Sequence, residues 1–168
     1  MGVIMLSGPV GAGKTAVARE LIAFLPQPVT YIEGDTFWSF VAIAEGRSRR
    51  EHFRVIMRAM TAAALPFARS GYEVVVDFSI PPDFLDTARK ILKDVLLDYV
   101  VLRPSLAVCE TRALARVEGS ILDYASYHDF YALFEESAHY AVCDDHADAA
   151  SLARRIHEDL SAGLFRVP

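Results

Sequence analysis

The apolar positions of this chain follow two alternating rhythms. Short, nearly unbroken apolar runs fall at residues 3–6, 29–32, 73–77, 95–102 and 140–143. Such runs read as strands buried on both faces, as in a parallel sheet. Between them the apolar spacing changes to the three-to-four-residue repeat of helices. The spacing predicts a helix over 16–25 and a long helical region after Asp35, broken near Gly46, with its main part over 49–69. Further helices are expected from Pro81-Pro82 to about Lys93, from Ser105 to about Val117, around 127–136, and from Asp148 to about Ala162. Ser105 and Asp148 are the expected N-caps. Pro26 and Pro28, Ser70-Gly71, Arg103-Pro104 and Gly119-Ser120 punctuate the pattern. Strands alternating with helices predict an α/β fold, a parallel sheet covered by helices on both faces. In such sheets ligands lie at the carboxyl ends of the strands.

That rule directs attention to the first strand end. There the chain reads Gly8-Pro9-Val10-Gly11-Ala12-Gly13-Lys14-Thr15, which matches G-x-x-x-x-G-K-[ST]. A strand, a glycine-rich turn and a helix start in that order make an anion site, because backbone N–H groups converge and the helix dipole adds positive potential. The glycines permit close approach that a Cβ would block. Lys14 is expected to reach the β- and γ-phosphates of a nucleotide, and the Thr15 hydroxyl to ligate Mg2+. The expected nucleotide-binding set is Gly8, Val10, Gly11, Ala12, Gly13, Lys14, Thr15 and Ala16, joined by Arg112.

Two carboxylates share the predicted rim. Asp77 closes the run Val74-Val75-Val76, the pattern of an aspartate that holds Mg2+ directly or through water. The plainer alternative is a turn or capping aspartate. Asp35 ends the second strand in Glu33-Gly34-Asp35, where a carboxylate across from the phosphate loop is placed to orient a hydroxyl acceptor and take its proton. It too has a capping alternative, with Thr36 opening a helix. Arg112 and Arg116 lie four apart on one helix face and are candidates to neutralise charge in transfer, with Gly119 as the joint of a short lid over about 112–127. Phe37, Trp38 and Phe40 follow Asp35 directly and either line an acceptor pocket or join the core. Arg54, with Arg50 and Arg58 on the same face, either meets an anionic acceptor or belongs to a charged outer surface. Asp35, Phe37, Trp38 and Arg54 form the expected acceptor set, the last three within an acceptor-binding segment of about 36–70. The five histidines have no metal spacing. Residues 144–147 are candidates to border a nucleotide base.

Composition narrows the partners. The chain has 168 residues, enough for one domain with a real core. A formal net charge of −5 argues against a dedicated nucleic-acid binder. Cys109 and Cys143 have neither redox nor zinc spacing and read as buried reduced thiols. No apolar run is long enough for a membrane span, and the chain enters its first strand without a basic leader, so the cytoplasm is the expected compartment. Oligomeric state is not readable.

Taken together, residues 8–15, Glu33-Gly34-Asp35, Val74–Asp77 and Leu102-Arg103-Pro104 with Arg112-Ala113-Leu114-Ala115-Arg116 resemble the small P-loop kinases, across essentially the whole chain. That group includes shikimate kinase, gluconate kinase, chloramphenicol phosphotransferase and the nucleoside monophosphate kinases. The resemblance implies a three-layer P-loop NTPase fold, a five-stranded parallel sheet in order 2-3-1-4-5, and MgATP as phosphate donor. It also implies that the second-strand aspartate faces the acceptor and that the arginines belong to the lid. Shikimate kinases carry a glycine run where this chain has Phe78-Ser79-Ile80-Pro81-Pro82. Gluconate kinases carry a histidine shortly after the second-strand aspartate, where this chain has Thr36, Phe37 and Trp38. The chloramphenicol phosphotransferase type fits best.

The leading expectation is therefore an ATP-dependent phosphotransferase acting on the hydroxyl of a small molecule. Lys14, Asp35, Arg112 and Arg116 are its expected catalytic residues, and Thr15 and Asp77 its metal-side residues. A nucleoside, nucleotide or polynucleotide 5′-hydroxyl kinase is one alternative, and an ATP-binding module without turnover is another. A GTPase is disfavoured, because N-K-x-D and D-x-x-G are missing from their expected places.

Overall fold

The structure, a computed structural model, describes residues 1–42, 45–115 and 123–168. Arg116 and Gly119, and with them the middle of the expected lid, lie outside the described residues. Five strands, β1 (Gly2–Ser7), β2 (Val29–Glu33), β3 (Glu73–Asp77), β4 (Leu96–Leu102) and β5 (Ala141–Val142), form one sheet in the order β2-β3-β1-β4-β5. Every pairing between them is parallel, as their unbroken apolar runs require. The helices are α1 (Lys14–Ile22), α2 (Arg49–Arg69), α3 (Leu85–Leu92), α4 (Leu106–Leu114), α5 (His128–Ala132) and α6 (Ala149–Ser161).

Strand alternation divides the core in two. Val3, Met5, Val74, Val76 and Tyr99 point to one face, where Ile56 and Met60 of α2 and Ala88 and Leu92 of α3 cover them. Ile4, Leu6, Val75, Val100 and Leu102 point to the other, under Val17 and Leu21 of α1, Cys109 of α4 and Ile156 of α6. The register pairs Leu6 with Asp77 and Glu33 with Asp77, so the carboxyl ends of β1, β2 and β3 stand level. The rim expected from the sequence is present.

Several boundaries differ from expectation. The stretch after β2 is a 3₁₀ turn over Gly34–Phe40 rather than the opening of an α-helix, with the half-buried rings of Phe37 and Trp38 packed back onto the core. Helix α2 starts where expected, on a capping box: Ser48 Oγ accepts from the Glu51 N–H at 3.3 Å and Glu51 Oε2 accepts from the Ser48 N–H at 2.7 Å. Ser105 sits at the N-cap of α4, but its side chain does not cap the helix; its backbone N–H donates to Asp145 Oδ1 at 2.6 Å instead. The helix expected near 127–136 is a succession of short turns, Ala125–Tyr127, α5 and Glu135–Tyr140. The last strand shortens to two residues because it meets only the end of β4. Asp148 caps α6 as expected, accepting from the Ser151 N–H at 2.7 Å.

A segment near residue 166 covers the rest of the β4 edge. Arg166 bridges to Asp98 antiparallel, and its guanidinium forks onto the Asp98 carboxylate at 2.8 and 3.2 Å.

Ser48→Ala removes the side-chain half of the α2 capping box. It is expected to lower the unfolding free energy by about 1 kcal/mol, read as a shift in urea midpoint with unchanged slope.

Candidate active site

The glycine-rich loop spans residues 8–13 between β1 and α1. Gly8 and Gly11 both have positive φ, at 138° and 84°. A Cβ at Gly8 would collide with the carbonyl oxygen of Leu102, and one at Gly11 with that of Cys109 in α4. The loop is thus pressed onto the end of β4 and the backbone of α4. No side chain caps α1 at Gly13, and its first turn carries no acidic residue. The first helical bond runs from the Val17 N–H to the Gly13 carbonyl at 3.1 Å, so the N–H groups of Lys14, Thr15 and Ala16 precede the helical ladder. This is the geometry of an anion cradle. Ala12 is buried, with its N–H turned to the Pro9 carbonyl at 3.3 Å. Val10 is half-buried, and its carbonyl accepts from the Tyr124 hydroxyl at 2.7 Å. The Lys14 ammonium donates to the carbonyls of Gly8 (3.2 Å) and Pro9 (3.0 Å), which holds it along the loop.

Asp77 ends β3 only 4% exposed. It caps no helix. Its Oδ2 accepts from Thr15 Oγ1 at 2.7 Å and from the Tyr31 hydroxyl at 2.9 Å. Burial, with the Asp77 charge adding to it, pushes the Tyr31 phenol well above its ordinary value, so it stays a donor. A hydroxyl and a carboxylate this close are hard oxygen donors of the kind Mg2+ takes. Among the described residues no group of three His, Cys, Asp or Glu side chains forms a metal site of its own. A cation here would be completed by phosphate and water, as is usual for Mg2+.

Asp35 stands two residues past Glu33, the partner of Asp77 in the register, and is exposed. It lies inside the 3₁₀ turn, whose N-cap is Glu33, so the capping alternative does not hold. Beside it the backbone of Gly34 packs against Phe78, where a Cβ would come within 2.6 Å of that side chain. Phe78 packs on Phe53 with ring centres 5.3 Å apart, and Phe53 in turn stacks on Trp38 at 6.4 Å. The Arg49 guanidinium covers the Trp38 ring at 4.9 Å. Of the two readings weighed from the sequence, Phe37 and Trp38 meet the second, packing partly buried against the core, while Phe40 is exposed. Arg50, Arg54 and Arg58 are exposed.

Arg112 is half-buried in α4, with Nη1 3.7 Å from where a Cβ on Gly13 would stand, so its charge faces the cradle. Arg116 lies outside the described residues. Cys109 is buried, and burial pushes its thiol up to about 11 against the opposing pull of Lys14 and Arg112. Cys143 corrects the expectation of two buried thiols: it is exposed, beyond the short β5, with Arg103 Nη2 3.7 Å from its sulfur. Asp144 and Asp145 organise the loop after β5. Asp144 Oδ1 accepts from the N–H groups of His146 and Ala147, and Asp145 latches that loop to the start of α4.

A family model described as chloramphenicol phosphotransferase-like protein matches residues 1–161. The chain belongs to that family. No curated protein sequence matches it. Among solved structures, the chain is similar to an unliganded sugar kinase from Janibacter sp. HTCC2649, with a TM-score of 0.74 at 18% identity over 96% of this chain and 95% of that one. The tunicamycin resistance protein of Deinococcus radiodurans gives 0.73 at 20% identity, covering 99% and 98%. The APS kinase of Mycobacterium tuberculosis, solved with AMPPNP and APS, gives 0.67 at 18% identity, covering 95% and 97%. At these identities the likeness is one of fold, that of the P-loop kinases. For this member of the chloramphenicol phosphotransferase-like family, no described helix is long and apolar enough to cross a membrane.

Three contributors escaped the sequence. Tyr31 is a second donor to Asp77, Tyr124 holds the Val10 carbonyl across 114 positions, and the Cys109 backbone sets the ceiling over Gly11. Strand alternation does put Tyr31 on the same sheet face as Val75 and Asp77, and that was the one available signal.

Gly11→Ala forces loop and α4 apart. It is expected to cost more than ~1 kcal/mol of stability, read as a fall in melting temperature. With a thiol reagent at pH 8, Cys143 should react at once and Cys109 only after denaturation, because its thiolate is scarce below about 11.

Proposed function

We propose that the chain is an ATP-dependent kinase that moves the γ-phosphate of MgATP onto a hydroxyl group of a small molecule. The observation carrying this reading is one rim that bears an anion cradle, a Thr15–Asp77 oxygen pair at 2.7 Å and an exposed carboxylate, Asp35, that caps nothing. A nucleotide-binding module without turnover has no use for the third group. Membership in the phosphotransferase family and the AMPPNP-bound APS kinase of the same fold support the nucleotide as donor.

The backbone N–H groups of Gly11, Gly13, Lys14, Thr15 and Ala16, with the Lys14 ammonium, would hold the β- and γ-phosphates. Thr15 and Asp77 would hold Mg2+, which when bound offsets phosphate charge. Asp35 would accept the proton of the acceptor hydroxyl as its oxygen bonds to the γ-phosphorus and the bond from phosphorus to the ADP oxygen breaks. Arg112, beside Gly13, would offset charge on the transferring group, together with Arg116. The acceptor would lie against Phe37 and Trp38, with Arg54 at the outer margin. The half-buried aromatic surface beside Asp35 favours a small molecule over a polymer.

Asp35→Ala is expected to bind ATP like the parent and to lose at least ~100-fold in acceptor-dependent ADP release. Calorimetry and a coupled assay against a panel of antibiotics, sugars, nucleosides and 5′-hydroxyl oligonucleotides measure the two quantities. Undiminished transfer by Asp35→Ala would remove Asp35 from the chemistry. Turnover confined to the oligonucleotides would replace the small-molecule reading with the polynucleotide one.

A further inference from the structure

Asp77 Oδ2 receives two hydroxyl donors, and the proposed chemistry uses only one. Thr15 Oγ1 directs its proton to Asp77 at 2.7 Å, which leaves the oxygen lone pairs of Thr15 turned elsewhere. The second donor, the Tyr31 hydroxyl, comes from β2 at 2.9 Å. Tyr31 pairs with Val75 in the register, and its ring leans one step along the sheet to reach Asp77. It is half-buried against the α1 side of the core, with Arg19 and Glu33 the other charged groups close enough to act on it. Arg19 lies one helical turn beyond Thr15, in the last turn of α1, and its charge pulls on the Tyr31 phenol.

One hydrogen bond leaves a carboxylate free to swing about the bond to its Cβ. Two donors arriving at one oxygen from different elements fix its plane, and with it the direction of Oδ1, which takes part in neither bond. Groups that orient a metal-side ligand in this way alter metal affinity without touching the metal.

We propose that Tyr31 is a positioning residue for the divalent cation, holding Asp77 so that its second oxygen and Thr15 Oγ1 face the same Mg2+. This rests on the metal role proposed above for Thr15 and Asp77. It assigns to β2 a share of the donor half of the site, in addition to the acceptor-side Asp35 that follows it.

Tyr31→Phe keeps the ring and removes only the hydroxyl. ATP binding is measured by calorimetry in saturating Mg2+ and again in EDTA, for the parent, Tyr31→Phe, Asp77→Asn and the double variant. The expected result is unchanged ATP affinity in EDTA and a loss of about tenfold in the Mg2+-dependent gain for Tyr31→Phe. In the Asp77→Asn background the same substitution should add nothing, because its effect passes through the carboxylate. A Tyr31→Phe protein that keeps the parent gain, or that weakens equally with and without Mg2+, overturns the inference while a lost gain in Asp77→Asn leaves the metal site standing. A full gain in Asp77→Asn overturns the metal site and the inference with it.

Discussion

When five strands all run the same way, every connection must carry the chain back from one rim of the sheet to the other, and in this molecule the main carriers are helices. The return paths cover both faces, which is why the strands are apolar throughout. The outgoing turns all emerge together, which is why loop 8–13, Asp35, Asp77 and the start of α4 share one rim although the sequence separates them by up to about a hundred positions. The register sets how these groups line up. Leu6, Asp77 and Glu33 stand level, so a bond such as Thr15–Asp77 needs no further adjustment of the chain.

The same rim is braced from beneath by a buried polar knot. Ser7 Oγ donates to the Ile80 carbonyl at 2.7 Å and accepts the Ile80 N–H at 2.8 Å, while the Tyr99 hydroxyl reaches the same carbonyl at 2.6 Å. Ser7 and Tyr99 are fully buried, where an unmet polar group is costly, so the knot locks the segment that follows Asp77. That segment carries Phe78, the ring on which Gly34 and Phe53 rest. The end of β1 and the Gly34–Phe40 turn are therefore fastened to one another through the backbone at residues 78–80.

What the sequence revealed and what it hid divide along a physical line. Unbroken apolar runs such as Val74-Val75-Val76 report burial on both faces, so the sheet and its rim were legible. The glycine spacing of residues 8–13 and the Lys14-Thr15 pair report a backbone requirement local to eight residues, and they too were legible. Contacts made through the fold were not. Nothing near Tyr124 signals the Val10 carbonyl, and nothing near Cys109 signals that its own carbonyl confines Gly11. Short, weakly periodic stretches failed for a different reason. Between 125 and 140 the turns are shaped by packing of Phe130, Phe134 and Tyr140 onto the core, which overrides any intrinsic helical preference.

The Asp98–Arg166 fork bears on a hazard that every open sheet faces. β5 pairs with only the last two residues of β4, so most of that strand would present a bare row of amides and carbonyls. Instead the Tyr99 N–H bonds to the Phe165 carbonyl at 2.9 Å, and the Leu97 carbonyl accepts from Val167 at 3.0 Å. The strand is thereby denied to foreign chains as a template for cross-molecular pairing. The arginine fork clamps this cover at a nearly buried carboxylate, so peeling it away would strand a charge as well as bare the amides. The cover over this stretch of β4 thus hangs on three residues, Phe165, Arg166 and Val167, far from the glycine-rich loop.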